Sequence, residues 1–372
     1  MSDTATVASP PSEGVKISRS GARSNSPVRL AMAAAEKALK PVTVAVELTY
    51  RCNIDCLHCY CVRGGDQREL TTEEWKGFLD HTAKEGGLFL TLSGGEILVR
   101  RDFFEIYNHT RDLGYAVKLK TNATLINEEI ADRIAQRHPM VVDVSILGGS
   151  STVHDRITRS RGSHDKAWRG IELLRERGVN VSVRTSIMGD NHDEYHEIRA
   201  KARGLGCGTN CDANIFPKND ADPTTQDHRL EAADFKKFLN TLTLAQPLGR
   251  KKPRNPDELL MCGAGRGHFS VNPYGDITTC NPLQIPLGNA RTDSWADVRR
   301  SKLLQRIVSM TIHDLPECRA CEYREYCDRC HAMAFLETGS IVQKSVQACK
   351  MAKLVKAMAD DHEAETREVT HV

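Results

Sequence analysis

The chain has 372 residues, in which 51 Lys and Arg nearly balance 49 Asp and Glu for a formal charge of +2. That length predicts about two domains of roughly 150 residues each, and the near-neutral balance supplies no basic field of the kind that draws nucleic acid. Thirteen cysteines, an odd number falling in close pairs and triplets, predict metal ligation in a reducing compartment over a disulfide framework. No apolar run approaches the ~20 residues that span a bilayer, so the expectation is a soluble cytoplasmic protein with no membrane partner.

Residues 1–27 are rich in Ser, Pro, Ala and Gly and predict a disordered tail, followed by a short helix up to residue 41. Arg19, Arg23 and Arg29 with few acids faintly resemble an organellar transit peptide; a plain tail is the preferred reading. From Val42 onward, short apolar runs alternate with helical patterns, the mark of a parallel α/β sheet. The candidate strands cover 42–48, 88–92, 116–120, 141–146, 179–187 and 212–216. Thr71 and Glu74 form a capping box before Trp75, Phe78 and Leu79, which share one helix face, and Tyr195, Ile198, Ala202 and Leu205 repeat that spacing before the sixth strand.

Six such units over 42–217 predict an open, partial (β/α)6 TIM-like barrel, in which chemistry gathers at the carboxyl ends of the strands. Cys52, Cys56 and Cys59 follow the first strand, Gly94-Gly95-Glu96 the second and Thr121-Asn122 the third, while Ser145 ends the fourth. Four polar sites thus converge on one rim. Residues 218–261 carry Pro, Asn and Asp clusters around a helical stretch at 230–244 and read as a bridge. Residues 262–349 hold seven cysteines and predict a loop-rich segment folded by its metal centres more than by a hydrophobic core. A charged helix over 350–372 follows, with Met351, Leu354 and Met358 on its apolar side.

Three residues separate Cys52 from Cys56 and two separate Cys56 from Cys59, in the run Leu48-Thr-Tyr-Arg-Cys-Asn-Ile-Asp-Cys-Leu-His-Cys-Tyr60. Three thiolates fill three corners of a 4Fe-4S cluster, and a fourth iron without a protein ligand can chelate an exogenous group. A zinc site with Cys61 as fourth ligand is the competing reading. The spacing, with His58 in the aromatic position before the third cysteine, resembles the signature of the radical S-adenosylmethionine (SAM) enzymes.

That resemblance implies reductive cleavage of SAM at the cluster on Cys52, Cys56 and Cys59, and hydrogen abstraction from an unactivated carbon by a 5'-deoxyadenosyl radical. It implies that the backbone of Gly94 and Gly95 and the carboxylate of Glu96 meet the SAM amino group, since glycine permits close approach. It also implies that Asn122 and Ser145 face the ribose and methionine carboxylate, and that His58 borders the cofactor. Read without the resemblance, the glycine pair is a turn, and Asn122 and Ser145 are ordinary strand-end residues. Ile97 and Leu98 stand where the family commonly has proline and leucine. Residues 144–149 with His154-Asp155-Arg156 and Gly162-Ser163 resemble the peptide-modifying members.

The order Cys262, Gly275, Cys280, Cys318, Cys321, Cys327, Cys330, Cys349 resembles the SPASM domain, although two residues separate Cys327 from Cys330 where three are usual. The resemblance implies two auxiliary iron-sulfur clusters, a distal one on Cys318, Cys321, Cys327 and Cys349 and a nearer one on Cys262, Cys280 and Cys330. The nearer set is one ligand short; Cys207 or Cys211 completes it, or the iron stays open for substrate. Small buried side chains are an equal reading of those two cysteines. A zinc ribbon is the rival for Cys318, Cys321, Cys327 and Cys330, without the basic, aromatic-rich surface that nucleic acid needs.

The expected substrate is a ribosomally made precursor peptide that receives a crosslink or related modification. The alternatives are a sulfatase-type formylglycine maturase, a tetrapyrrole side-chain enzyme and, in a different class, a non-catalytic iron-sulfur or zinc protein. Expected partners are a reductant such as flavodoxin or ferredoxin and a separate leader-binding protein, because ~45 residues before the first strand are too few for a stable fused domain.

Overall fold

In a computed structural model that describes residues 27–63, 67–241 and 264–369, the apolar runs form β1 (Thr43–Glu47), β2 (Phe89–Ser93), β3 (Ala116–Thr121), β4 (Val141–Ser145) and β5 (Val181–Ser186), and β6 (Gly208–Asp212) follows. The six lie side by side in chain order, and every adjacent pair is parallel. Parallel pairing requires a crossover, and each crossover carries a helix: Thr72–Lys84, Phe103–Asp112, Glu128–Ala135, Ser163–Glu176 and Tyr195–Gly204. The first begins at the expected capping box, with the Glu74 N–H donating to Thr71 Oγ1 at 3.2 Å and the Thr71 N–H to Glu74 Oε2 at 2.8 Å. The fold is the expected α/β partial barrel.

Strand side chains alternate between faces, and the register sorts them. Val44, Val46, Leu90, Leu92, Val117, Leu119, Val142, Val144, Val181 and Val183 point outward and are buried under the helices. Each contributes roughly 1.5 to 3 kcal/mol through burial. The opposite face, turned to the lumen, is polar: Glu47, Ser93, Lys118, Lys120, Asp143, Ser145, Ser182 and Arg184.

The sixth strand lies four residues earlier than expected at its start, at Gly208 in place of 212. Ile215 and Phe216 suggested a strand, but Ile215 instead packs with Leu147, Ile157 and Met188 beneath the cysteine loop. The edge strand itself, Gly-Thr-Asn-Cys-Asp, has no apolar run to reveal it.

The cysteine-rich segment also differs from its expected character. Three of its strands, β7 (His268–Val271), β8 (Asp276–Thr278) and β9 (Gly288–Asn289), extend the same sheet, with β7 parallel to β1. Phe269, Val271, Ile277, Trp295, Val298 and Leu304 join the barrel's own core cluster. Trp295 stacks edge-on to Phe269 at 5.1 Å between ring centroids, and its indole N–H donates to Thr82 Oγ1 at 3.0 Å. A shared hydrophobic core therefore joins this part of the segment to the barrel.

The bridge contains a 3-10 turn at Pro223–His228 and a helix at Ala232–Thr241; the rest of the expected 230–244 helix lies outside the described residues. The last helix, Val346–Val369, starts before Cys349 and so carries it in its first turn. A helix at Pro27–Lys37 matches the expected short one, while the expected tail at 1–26 lies outside the described residues. No helix among the described residues is long and apolar enough to cross a membrane.

Candidate active site

The loop after β1 is tied down on two sides. Gly95 N–H donates to Thr49 O at 2.7 Å and Glu96 N–H to Arg51 O at 3.0 Å, so the loops after β1 and β2 pair like short strands. On the other side, Asp55 N–H and Leu57 N–H donate to Thr158 O and Ile157 O at the end of helix Ser151–Thr158, at 3.1 and 2.9 Å. Gly94 has φ +139, and a Cβ there would lie 2.3 Å from Thr49 O; at Gly95 it would lie 2.4 Å from Arg51 O. The glycines are required because protein backbone fills the space where a side chain would go, a constraint separate from any ligand.

Cys52, Cys56 and Cys59 face one another within this loop. Burial pushes the Cys52 and Cys56 thiols up; charge repulsion from Cys59 adds to both, and Cys52 adds to Cys56. The Cys61 thiol donates to Cys59 and holds it below the ordinary thiol range, with Arg63 also lowering it. Cys52 and Cys56, crowded and half-buried, are poor thiolates unless a metal supplies positive charge, whereas Cys59 is already disposed to ionise. Among the described residues no three His, Cys, Asp or Glu side chains converge tightly enough for a single ion. Three thiols in one loop are the donor type that a 4Fe-4S group takes, one to each of three irons.

Glu96 is 1% exposed. Its carboxylate accepts from Leu98 N–H at 3.1 Å, Thr121 Oγ1 at 2.8 Å and Asn122 N–H at 2.7 Å. Burial nonetheless raises its pKa, and no basic side chain among the described residues pairs with it. A desolvated carboxylate with no cation beside it suits a cationic ligand. Asn122 joins this carboxylate to the cysteine loop: its side-chain amide donates to Asn53 Oδ1 at 3.0 Å and approaches Cys52 Sγ at 3.8 Å.

Ser145 is exposed toward the lumen, beside Arg184 in register. His58 is half-buried; desolvation of its ring pushes its pKa down to about 4, His228 adds to the shift, and the buried Nδ1 has no hydrogen-bond partner among the described residues. His154, expected to be as much structural as functional, accepts the Leu147 N–H at Nδ1, 3.1 Å away, and stabilises the turn after β4.

Cys318, Cys321, Cys327 and Cys349 are brought together: the other three push the Cys327 thiol up to about 11 together with burial, which is the larger cause. Cys280 and Cys330 share a separate apolar cluster with Leu283, Ile307 and Ala332. Cys262 lies outside the described residues. Cys207 is buried in the barrel core and Cys211 packs against it beside Tyr195, so neither joins Cys280 and Cys330.

Sequence reasoning missed Glu47, which is fully buried and accepts from Tyr50 and Tyr60 hydroxyls at 2.9 and 2.6 Å and from Asn281, next to Cys280. It also missed the charged lumen. The available signal was a polar residue at every second position of otherwise apolar strands, as in Lys118-Leu-Lys120 and Asp143-Val-Ser145.

Two family models match: that of the Radical SAM superfamily over residues 46–202 and that of the SPASM iron-sulfur cluster-binding domain over 262–331. The AdoMet-dependent heme synthase of Methanosarcina barkeri is 27% identical over 337 residues, 82% of this chain and 95% of the relative. The subtilosin biosynthesis protein AlbA of Bacillus subtilis is 27% identical over 307 residues, 78% of this chain and 65% of the relative. Streptococcus suis SuiB bound to its precursor peptide SuiA has the same fold, with a TM-score of 0.69 at 15% identity over 86% of this chain and 79% of SuiB. With both matched regions falling on the cysteine loop and on the cysteine-rich segment, the chain belongs to the radical SAM superfamily, in its SPASM-domain subfamily, and is an enzyme that uses SAM and a 4Fe-4S cluster.

Proposed function

We propose that this enzyme cleaves SAM reductively and abstracts hydrogen from a ribosomally made precursor peptide to install a crosslink or related modification. The observation that carries the reading is Asn122, whose backbone N–H donates to Glu96 while its side chain reaches Cys52 Sγ. A cluster-binding loop and a buried acceptor for an ammonium thus lie against one another. Cys52, Cys56 and Cys59 would hold the cluster, and Glu96, with the backbone at Gly94 and Gly95, would hold the amino group of SAM. Asn122, Ser145 and His58 would border the rest of SAM. Together the bound groups supply, on one-electron reduction, the 5'-deoxyadenosyl radical. The protein orients SAM against substrate, and the apolar layer of Leu57, Leu147, Ile157 and Met188 beneath the loop keeps water from its underside.

Two auxiliary clusters belong to the proposal, one on Cys318, Cys321, Cys327 and Cys349 and one on Cys280, Cys330 and Cys262. They would pass electrons or bind substrate, with flavodoxin or ferredoxin as the external reductant, a separate leader-binding protein as partner and the cytoplasm as compartment. A tetrapyrrole side-chain activity is the second reading, favoured by the alignment with the heme synthase spanning 95% of that relative. Anaerobic incubation of the reduced enzyme and SAM with a short precursor peptide encoded beside its gene tests the first reading. The expected product is the peptide lighter by two hydrogens per crosslink; turnover of a propionate-bearing porphyrin with the peptide unchanged would transfer the proposal to the second.

A further inference from the structure

Cys327 and Cys330 belong to different ligand sets, and the two residues between them face opposite ways. Cys327 ends the 3-10 turn Arg324–Tyr326 and Cys330 caps the helix His331–Thr338, both with extended backbone. An extended run turns successive side chains to opposite sides, so Asp328 is exposed while Arg329 is half-buried. Arg329 Nη2 donates to Ile341 O and Gln343 O at 2.7 and 2.6 Å, and Nη1 lies 2.9 Å from His331 Nδ1. The guanidinium is thereby fixed along one edge. Its Nε is buried without a hydrogen-bond partner among the described residues, and a buried donor in that state is ordinarily met by a group that accepts from it.

No Asp or Glu side chain among the described residues pairs with Arg329. Desolvation lowers its pKa, and the groups that oppose this are thiols: Cys318, which lies against the guanidinium, then Cys327 and Cys330. The cations beside Cys349, Lys344 and Lys353, are exposed instead, so water and salt screen them. A cation taken out of water calls for an anion, and thiolates around iron supply one. Hydrogen bonds to the sulfurs and the local charge set the reduction potential of such a cluster. A fixed cation favours the more negative, reduced state, so its effect is upward.

We propose that Arg329 sets the reduction potential of the auxiliary cluster on Cys318, Cys321, Cys327 and Cys349, its guanidinium donating to sulfur at the Cys318 corner and holding the potential up. This rests on the proposed auxiliary clusters and gives a role to a residue outside every ligand set. A cluster held up in this way is easier to reduce and takes up electrons more readily than it releases them.

The test is an anaerobic redox titration of the reconstituted full chain, followed by electron paramagnetic resonance. The signal lost in Cys349→Ala marks the distal cluster, and the signal altered by SAM marks the cluster on Cys52, Cys56 and Cys59. Arg329→Gln should make the distal cluster about ten-fold harder to reduce, a fall of about 59 mV for one electron. Iron content and the midpoint of the SAM-responsive signal should not change. Arg329→Lys, which keeps the charge, should recover most of the shift. An Arg329→Gln protein with full iron and an unshifted distal midpoint overturns the proposal, as does an equal shift in Arg329→Lys. Should Arg329→Gln lose the distal iron, retention of that iron in Arg329→Lys supports the role of the charge; its loss there too makes Arg329 a folding residue and overturns the proposal. A wild type with no signal that Cys349→Ala removes would instead refute the auxiliary-cluster reading itself.

Discussion

Replacing Glu96 separates a structural role from a cofactor role, provided two substitutions are compared. An ionised carboxylate offers about four acceptor positions, and three are filled by Leu98 N–H, Thr121 Oγ1 and Asn122 N–H. One position is left for the SAM ammonium. Glu96→Ala leaves three buried donors unmet, at roughly 1 to 3 kcal/mol each, so it should lower folding stability by about 3 kcal/mol or more and melting by roughly 6 °C or more. Glu96→Gln keeps an acceptor oxygen for part of that set and removes the charge.

If the carboxylate binds the ammonium, Glu96→Gln should weaken SAM by about one to two decades, the equivalent of roughly 1.5 to 3 kcal/mol. Its melting should change far less than that of Glu96→Ala. Burial raises the Glu96 pKa in the folded state. The stability it contributes is therefore fully present below the unfolded carboxylate pKa and is lost as pH rises through the raised folded value. Glu96→Gln removes that neutral-pH cost, which further protects its melting temperature. Equilibrium dialysis with SAM on the cluster-loaded variants, beside anaerobic thermal melts, reads both effects. A Glu96→Gln enzyme whose SAM dissociation constant stays within two-fold of wild type would refute the reasoning and leave Glu96 as a tie between the loops after β2 and β3.

Anaerobic reconstitution should load close to about twelve irons per chain if the ligand sets hold three cubanes; about four, with zinc in the remainder, would remove both auxiliary clusters from the account. Changing Cys207 and Cys211 together to Ala should leave auxiliary-cluster absorbance and iron content intact, because both side chains lie with the barrel core, and loss of one cluster's iron would show that the chain completes its ligation there. His154 should make folding acid-sensitive: burial holds its pKa at about 4 against an ordinary value near 6.5. Its contribution is present above about pH 6.5 and lost as pH falls toward about 4, a change of about 3 kcal/mol. The melting-temperature difference between wild type and His154→Gln should shrink over that window, and a difference independent of pH would contradict the assignment.

The barrel strands were legible because Val and Leu at alternate positions carry β1 to β5, and the Thr71 to Glu74 capping box fixed the first helix. The strand β6 was not, since its side chains are small and polar and its pairing comes from backbone alone. Strands β7 to β9 stayed hidden for a different reason: runs of two to four residues among glycines are too short to show a period, and β7 joins the barrel sheet by pairing with β1, more than 200 residues away. At the site, the cysteine spacing and Gly94-Gly95-Glu96 were visible as local motifs. Their connection was not, because the contact of Gly95 with Thr49 and of Asn122 with Cys52 depends on the register of three strands.

The central claim is that the loop of Cys52, Cys56 and Cys59 cleaves SAM. The most direct measurement is 5'-deoxyadenosine formed by the reconstituted, dithionite-reduced protein with SAM, beside a variant with all three cysteines changed to Ala. The account predicts 5'-deoxyadenosine from wild type and none from the variant, which should keep its auxiliary-cluster absorbance. Equal amounts from both, or none from a wild type with its clusters intact, would contradict it.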